Sequence, residues 1–226
     1  MLEISASKDW YTTHAGGIIG LLELSGVDNT RSSHRLEVRK RETEARLQKQ
    51  YAGFTRPAFL ALPIMTAYDN YYKKFNKTYH VQLQLESIVL KGKSLPNVSP
   101  LVDANFTAEV DTLVLTAGHD VAKLHAPILF DVSREGDEIV QMSGEAKAMR
   151  PGDMLMKDAE GICCSIIYGQ DNRSPITPET THVLYVSYAP AGVPAEVVEA
   201  QLQQIEENIR LFSRDAVVEQ HQLLTA

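Results

Sequence analysis

An α+β fold is predicted from three observations. Helix-patterned stretches lie before and after a central block, the block itself consists of short apolar runs cut by Gly, Asp and Pro, and 44% hydrophobic with 23% charged residues is the composition of a chain with a substantial core. At 226 residues the chain is short enough for one core, so a single domain over 1–226 is expected.

Taken in order, "GGIIGLLELSGVDN" (16–29) reads as a buried strand between glycines and a polar turn. Ser33 is a fitting N-cap for a charged helix to Tyr51, with Leu36, Leu47 and Tyr51 on its apolar face. Glu37 with Arg41 and Glu42 with Arg46 stand at i,i+4 spacing for ion pairs. Arg39, Lys40 and Arg41 are either a solvated face or phosphate contacts. Beyond Pro57 and Pro63, "TAYDNYYKKFNKTY" sets Tyr68, Tyr71, Tyr72 and Phe75 at helical spacing. With Lys73, Lys74 and Lys77 beside them, those rings read as core next to a lysine-rich helix end, or as a base-stacking surface. Residues 79–93 alternate like a strand at Tyr79, Val81, Leu83 and Leu85, while Leu85, Ile88 and Val89 suit a helix ending near Gly92, and helix is preferred. From Leu95 to Ala189 the short runs predict a largely antiparallel sheet system. The closing helix is set at 194–212, with Pro194 at its first position and Val198, Leu202, Ile205, Ile209 and Phe212 on one face against the sheet.

A formal charge of -7 opposes a long nucleic-acid footprint and DNA binding, but leaves room for a small basic contact with the end of an RNA. No apolar run approaches the roughly 18 residues of a membrane span. The opening "MLEISASKDW" lacks the basic and apolar regions of a signal peptide, so a cytoplasmic location is expected and no membrane partner. Cys163 and Cys164 read as reduced, partly buried thiols. There is no glycine-rich phosphate loop and no G-x-S-x-G elbow. His119, Asp120 and His125 fit no compact metal-ligand spacing, so neither cofactor nor metal is expected.

Two polar clusters interrupt the apolar runs. "LVDANFTAEVDTLVLTAGHDVAKL" (101–124) offers Asp103 and Asn105 as one side of a pocket and a Gly118-His119-Asp120 turn as another, with Glu109 and Asp111 solvated on the far side. "YGQDNRSPITPETTH" (168–182) is either a solvated hairpin loop or the facing wall. A histidine and an arginine among neutral hydrogen-bonding groups suit polarisation of an ester carbonyl and positioning of a water.

"LPNVSPLVDANF", then "AGHDVAKL", then "RPGDMLMKDAEGICCSIIYGQDNRSPITPETTHVLYVSYAP" resembles the tRNA-binding and editing module (B-three/B-four) of the phenylalanyl-tRNA synthetase beta chain, and more closely its free-standing relatives. The ordered match covers 95–190. It implies a three-layer, sandwich-like, mostly antiparallel sheet core with flanking helices, and hydrolysis of a wrong aminoacyl ester at the aminoacylated 3' end of a tRNA rather than aminoacylation. Residue by residue, the resemblance implies catalytic roles for His119 and Asn105. The editing loop falls on Tyr168, Gly169, Gln170, Asp171, Asn172 and Arg173, and the family threonine on Thr180. Three positions depart from the pattern: only Ala104 separates Asp103 from Asn105, Gln170-Asp171 replaces a double glycine, and Val186 stands where bacterial synthetases carry the glutamate that recognises tyrosine. Two other readings keep the pocket: a noncatalytic module for RNA, an amino acid or a protein, and a small-molecule hydrolase.

Overall fold

The computed structural model describes residues 2–30 and 33–226. Two main sheets and several helices share one hydrophobic core. The first sheet contains β1 (Ile4–Ala6), β4 (Ile128–Val132), β7 (Met154–Asp158), β8 (Gly161–Ser165) and β9 (Gly169–Gln170), in that spatial order. The second has the order β11 (Val217–Thr225), β2 (Ile18–Ser25), β10 (His182–Ala189) and β3 (Thr116–Asp120). A separate hairpin joins β5 (Glu138–Val140) to β6 (Ala146–Ala148). Every pairing is antiparallel except β1 with β4. The helices are α1 (Lys8–Thr13), α2 (His34–Gln50), α3 (Arg56–Leu60), α4 (Pro63–Lys73), α5 (His80–Lys91), α6 (Pro100–Thr112) and α7 (Ala195–Arg210). Mixed α+β architecture with antiparallel-dominated sheets is therefore the fold. Among the described residues no helix is long and apolar enough to cross a membrane.

The two central strands of the second sheet, β2 and β10, are buried on both faces, and their sequences show why. In β2, Ile19 and Leu21 join the core between the sheets, while Leu22 and Leu24 join a core shared with α6 and α7. In β10, Leu184, Val186 and Tyr188 take the first side and Val183 and Tyr185 the second. This two-residue alternation is the pleat of a strand, and two apolar phases make a strand that is covered on both sides.

The aromatic stripe is core, as the helical spacing predicts. Tyr68 stacks on Tyr79 with centroids 4.1 Å apart. Each tyrosine hydroxyl also has a fixed partner: Tyr68 donates to Tyr188 O (2.7 Å), Tyr71 to Asp153 Oδ1 (2.7 Å), Tyr72 to Ile166 O (3.0 Å) and Tyr79 to Leu113 O (2.9 Å). The rings bury a large apolar area and their hydroxyls satisfy main-chain groups that water cannot reach. None is free as a base-stacking platform.

Several expectations hold locally. Ser33 caps α2 by accepting from the Leu36 amide, and Gly92 ends α5 in the left-handed region at φ 62°. Helix α7 begins one residue after Pro194 and buries Val198, Leu202, Ile205 and Ile209.

Others are corrected. Residues 100–112, expected within the sheet block, form a helix begun by Pro100 at its first turn. It is sandwiched on nearly all sides, so its buried residues show no single stripe to read. The "AGHD" segment is strand β3, not a turn. Glu109 is buried rather than solvated, and Asp111 pairs with Arg46 at 2.6 Å, taking the arginine assigned to Glu42. Lys40 is neither a solvated nor a phosphate-binding side chain, being buried against Asp103 at 2.8 Å. Strand β11 was not expected at all.

Close packing of α7 on β2 leaves no room at Gly20, where an added Cβ would lie 2.7 Å from Val198 Cγ1 and 3.2 Å from Leu202 Cδ1. Valine is stiff at χ1 and cannot swing aside. Gly20→Ala is expected to destabilise the fold by about 1–3 kcal/mol. Urea unfolding followed by circular dichroism checks this, the midpoint falling at unchanged m-value.

Candidate functional site

Helix α6, strand β3 and the segment 164–176 enclose a cavity of 410 Å³. Its lining is mostly apolar, including Val102, Phe106, Leu115, Ala117, Ile166 and Ile176. Val98 and Met142, 61% and 62% exposed, stand at its mouth, and buried Asn105, Thr116, Cys164 and Tyr188 form its floor.

The floor is made by α6 gripping an edge strand. Asn105 Nδ2 donates to Thr116 O at 3.1 Å, and Glu109, one turn later, accepts from the Thr116 amide at 3.0 Å. Since only the amide nitrogen of Asn105 can meet a carbonyl, its orientation is fixed. Oδ1 is left buried with no partner, an acceptor at the cavity. The Tyr188 hydroxyl is buried beside the Cys164 thiol. Burial pushes the Cys164 thiol up to about 12 and the Cys163 thiol further, so neither is a thiolate at neutral pH.

The loop 168–175 closes one side. Gln170 Nε2 donates to Gly118 O and Ser174 O, both at 2.9 Å, and lies 3.1 Å from His119 Nδ1. Ser174 Oγ donates to the acceptor-only carboxylate of Asp171 at 2.7 Å, so the contact of 2.8 Å between Ser174 Oγ and His119 Nδ1 has the imidazole as donor. His119 Nε2 therefore carries the lone pair, buried and unpartnered. Burial lowers its pKa to about 3, with Arg173 adding to the effect and Asp158 opposing it. Arg173 holds the loop from outside through Asp171 (2.8 Å), Glu160 (3.1 Å) and Asp158 (3.2 Å). Burial would raise Asp158, but Arg173 and the amides of His125 and Glu160 outweigh it and hold that carboxyl low.

Of the residues expected at a site, Asn105, Gly118, Gly169 and Gln170 line the cavity. His119 and Arg173 meet at the same loop but are not part of the lining. His119 is fully buried because β3 turns its ring into the interior, so it presents no nitrogen to the cavity. Asp103 faces Lys40 and the Val98 amide (2.9 Å) instead of the floor beside Asn105. Asp120 accepts from Thr180 Oγ1 at 2.9 Å and braces the strand ends. The Tyr168 hydroxyl accepts from the Arg150 amide, Asn172 is exposed, and Val186 is buried opposite Ala117 in the sheet. Sequence reasoning missed Tyr188 and His80 at the cavity. For Tyr188 the alternation of "VLYVSYA" was the available signal, and for His80 there was none.

The family described as B3/4 domain matches residues 65–221, more than half of the sequence. The chain belongs to the B3/4 domain family. The match takes in all the cavity-lining residues. Among solved structures, "Crystal Structure Of An N-terminal Fragment Of The Phenylalanyl-tRNA Synthetase Beta-Subunit From Pyrococcus Horikoshii" is similar to this B3/4 domain at 9% identity and a TM-score of 0.49. The similarity covers 98% of this chain and 50% of that one, so the chain spans about half the length of that fragment. Comparison with curated proteins returned no match.

The grip on Thr116 has a titratable member. Desolvation raises the Glu109 pKa from 4.5 to about 8, the Thr116 amide offsetting part of the shift. The unfolded chain loses this proton at lower pH than the folded one, so Glu109 favours folding fully below pH 4.5 and that contribution is lost as pH rises through about 8. Glu109→Gln keeps an acceptor for the Thr116 amide and cannot ionise. Equilibrium unfolding from pH 5 to 8 should show wild type losing more stability than the variant, and parallel curves would refute the buried carboxyl's role.

Proposed function

We propose that this B3/4 domain is a tRNA-associated module that holds the aminoacyl group of a charged tRNA in the cavity and hydrolyses the ester of a wrongly attached amino acid. The observation that carries the reading is the fixed, unpartnered Asn105 Oδ1 in a mostly apolar cavity large enough for an amino-acid side chain. An acceptor-only oxygen is complementary to an ammonium or hydroxyl group, and the apolar walls to a side chain. The ordered motifs at 95–190 and membership of the family support the tRNA association.

In this mechanism Asn105 orients the amino acid and a water attacks the ester carbonyl carbon. The bond to the ribose oxygen breaks, that oxygen leaves with a proton, and free amino acid and tRNA result. A cysteine nucleophile is disfavoured because Cys164 is held as a thiol. His119 acts at one remove, positioning Ser174 and the loop. The imidazole on the cavity lining is His80, whose Nδ1 lies 3.5 Å from the Tyr72 hydroxyl, and it is the base for the water. Positioning supplies most of the rate.

A binding-only module is the second reading, favoured by the sealed position of His119 behind the wall. A deacylation panel over mischarged tRNAs separates the two. Hydrolysis requires Asn105→Ala to lower kcat/KM by about tenfold or more and His80→Gln to lower kcat with KM little changed. Wild type that binds charged tRNA yet leaves every ester intact would leave only the binding reading.

A further inference from the structure

The lysines of the α4 end, set aside when their aromatic neighbours proved to be core, converge with an arginine from another part of the chain. Tyr71 and Phe75, both buried, lie with ring centroids 5.7 Å apart. Lys74 Nζ sits 5.8 Å from the Tyr71 centroid, and the Arg150 guanidinium 5.8 Å from that of Phe75. Exposed Lys73 and Lys77 flank them in sequence. Lys73 is paired with Asp69 at 2.5 Å, but among the described residues no carboxylate makes an ion pair with Lys74, Lys77 or Arg150. The nearby Asp153 is buried, accepting from the Tyr71 hydroxyl at 2.7 Å and the Ile167 amide at 3.1 Å. In a chain of net charge -7, this is a concentrated positive patch.

Its position relates it to the cavity. The Arg150 amide donates to the Tyr168 hydroxyl at 2.9 Å, and the next residue, Gly169, lines the cavity. On the other side Lys77 precedes His80 by three residues, and His80 lines the cavity and meets Tyr72.

We infer that Lys74, Lys77 and Arg150 bind the sugar–phosphate backbone of the RNA whose aminoacylated end occupies the cavity. The inference rests on the tRNA reading of that cavity and adds the surface by which the RNA is held. Unpaired cations on segments that also line the cavity are complementary to phosphates, and their flexible stems suit a backbone contact. Because Tyr71 and Phe75 are buried beneath the cations, bases have no ring to stack on, and the contact reads charge rather than sequence. A small patch of this kind also reconciles RNA binding with an acidic chain.

Binding of full-length charged tRNA is measured against salt concentration for wild type, Lys74→Glu with Lys77→Glu, Arg150→Glu, and Arg214→Glu as a distant exposed control. The expected result is affinity about tenfold weaker for the double variant near 0.1 M salt, with the slope of log K against log salt shallower by about 1.5. Arg150→Glu shifts in the same direction and Arg214→Glu leaves both quantities unchanged. Circular dichroism confirms the fold, and Lys74→Gln with Lys77→Gln replaces the double variant if charge reversal disturbs it. Wild type and patch variants binding with the same affinity and slope would overturn the surface while leaving the cavity reading intact. Wild type that binds no tRNA at low salt would overturn both.

Discussion

Two side chains one helical turn apart, Asn105 and Glu109, hold both main-chain groups of Thr116, and the cavity depends on that grip. Strand β3 is the edge of its sheet, paired with β10 on one side and met on the other, toward its end, by the loop at Ser174 and Pro175. Its outer main-chain groups at Thr116 are buried, where an unpaired amide or carbonyl costs about 1–3 kcal/mol. Helix α6 replaces a missing strand with an amide and a carboxyl at i and i+4, the spacing that places two side chains on one helix face. Once Thr116 is fixed, Ala117 and Gly118 follow as cavity wall, and Gly118 O receives Gln170. The same grip uses up the Asn105 nitrogen and leaves its oxygen for a ligand.

A second polar contact sets the rim. Lys40 on α2, fully buried, meets Asp103 on α6 and the carbonyl of Pro96, both at 2.8 Å. Asp103 in turn accepts the Val98 amide, so the ion pair ties two helices to the loop that brings Val98 to the cavity mouth. A buried pair of this kind adds little net stability over an apolar replacement, but loss of one partner strands the other at a cost of about 3–5 kcal/mol. Its effect is to allow one placement of the rim.

Legibility of the fold in the sequence followed exposure. Helices α2 and α7 each keep a wet face, and their caps and stripes were readable. Helix α6 has no wet face, and its buried Asp103, Asn105 and Glu109 made it look like a polar interruption of strands. Strand β11 mixes Val, Glu, Gln and His without strict alternation because it is a half-exposed edge with an irregular register between Val218 and Gln220. At the site, Asn105 and Gln170 came from the ordered motifs. His119 was placed in the correct segment and turned the wrong way, since a one-residue difference between turn and strand reverses the facing of a side chain. Tyr188 and His80 reach the cavity only through the packing of β10 and α5, which local pattern does not encode.

Strand β2 lies between β10 and β11, and its register with β11 joins Ile18–Ser25 to Val217–Thr225. Contacts this far apart in the chain are slow to form, so β2 waits first for β10 and then for β11. Its apolar faces, one for the other sheet and one for α7, wait with it. The second sheet is thus assembled from an early strand and late ones, and that interval is when an unpaired β2 is most open to association with other chains.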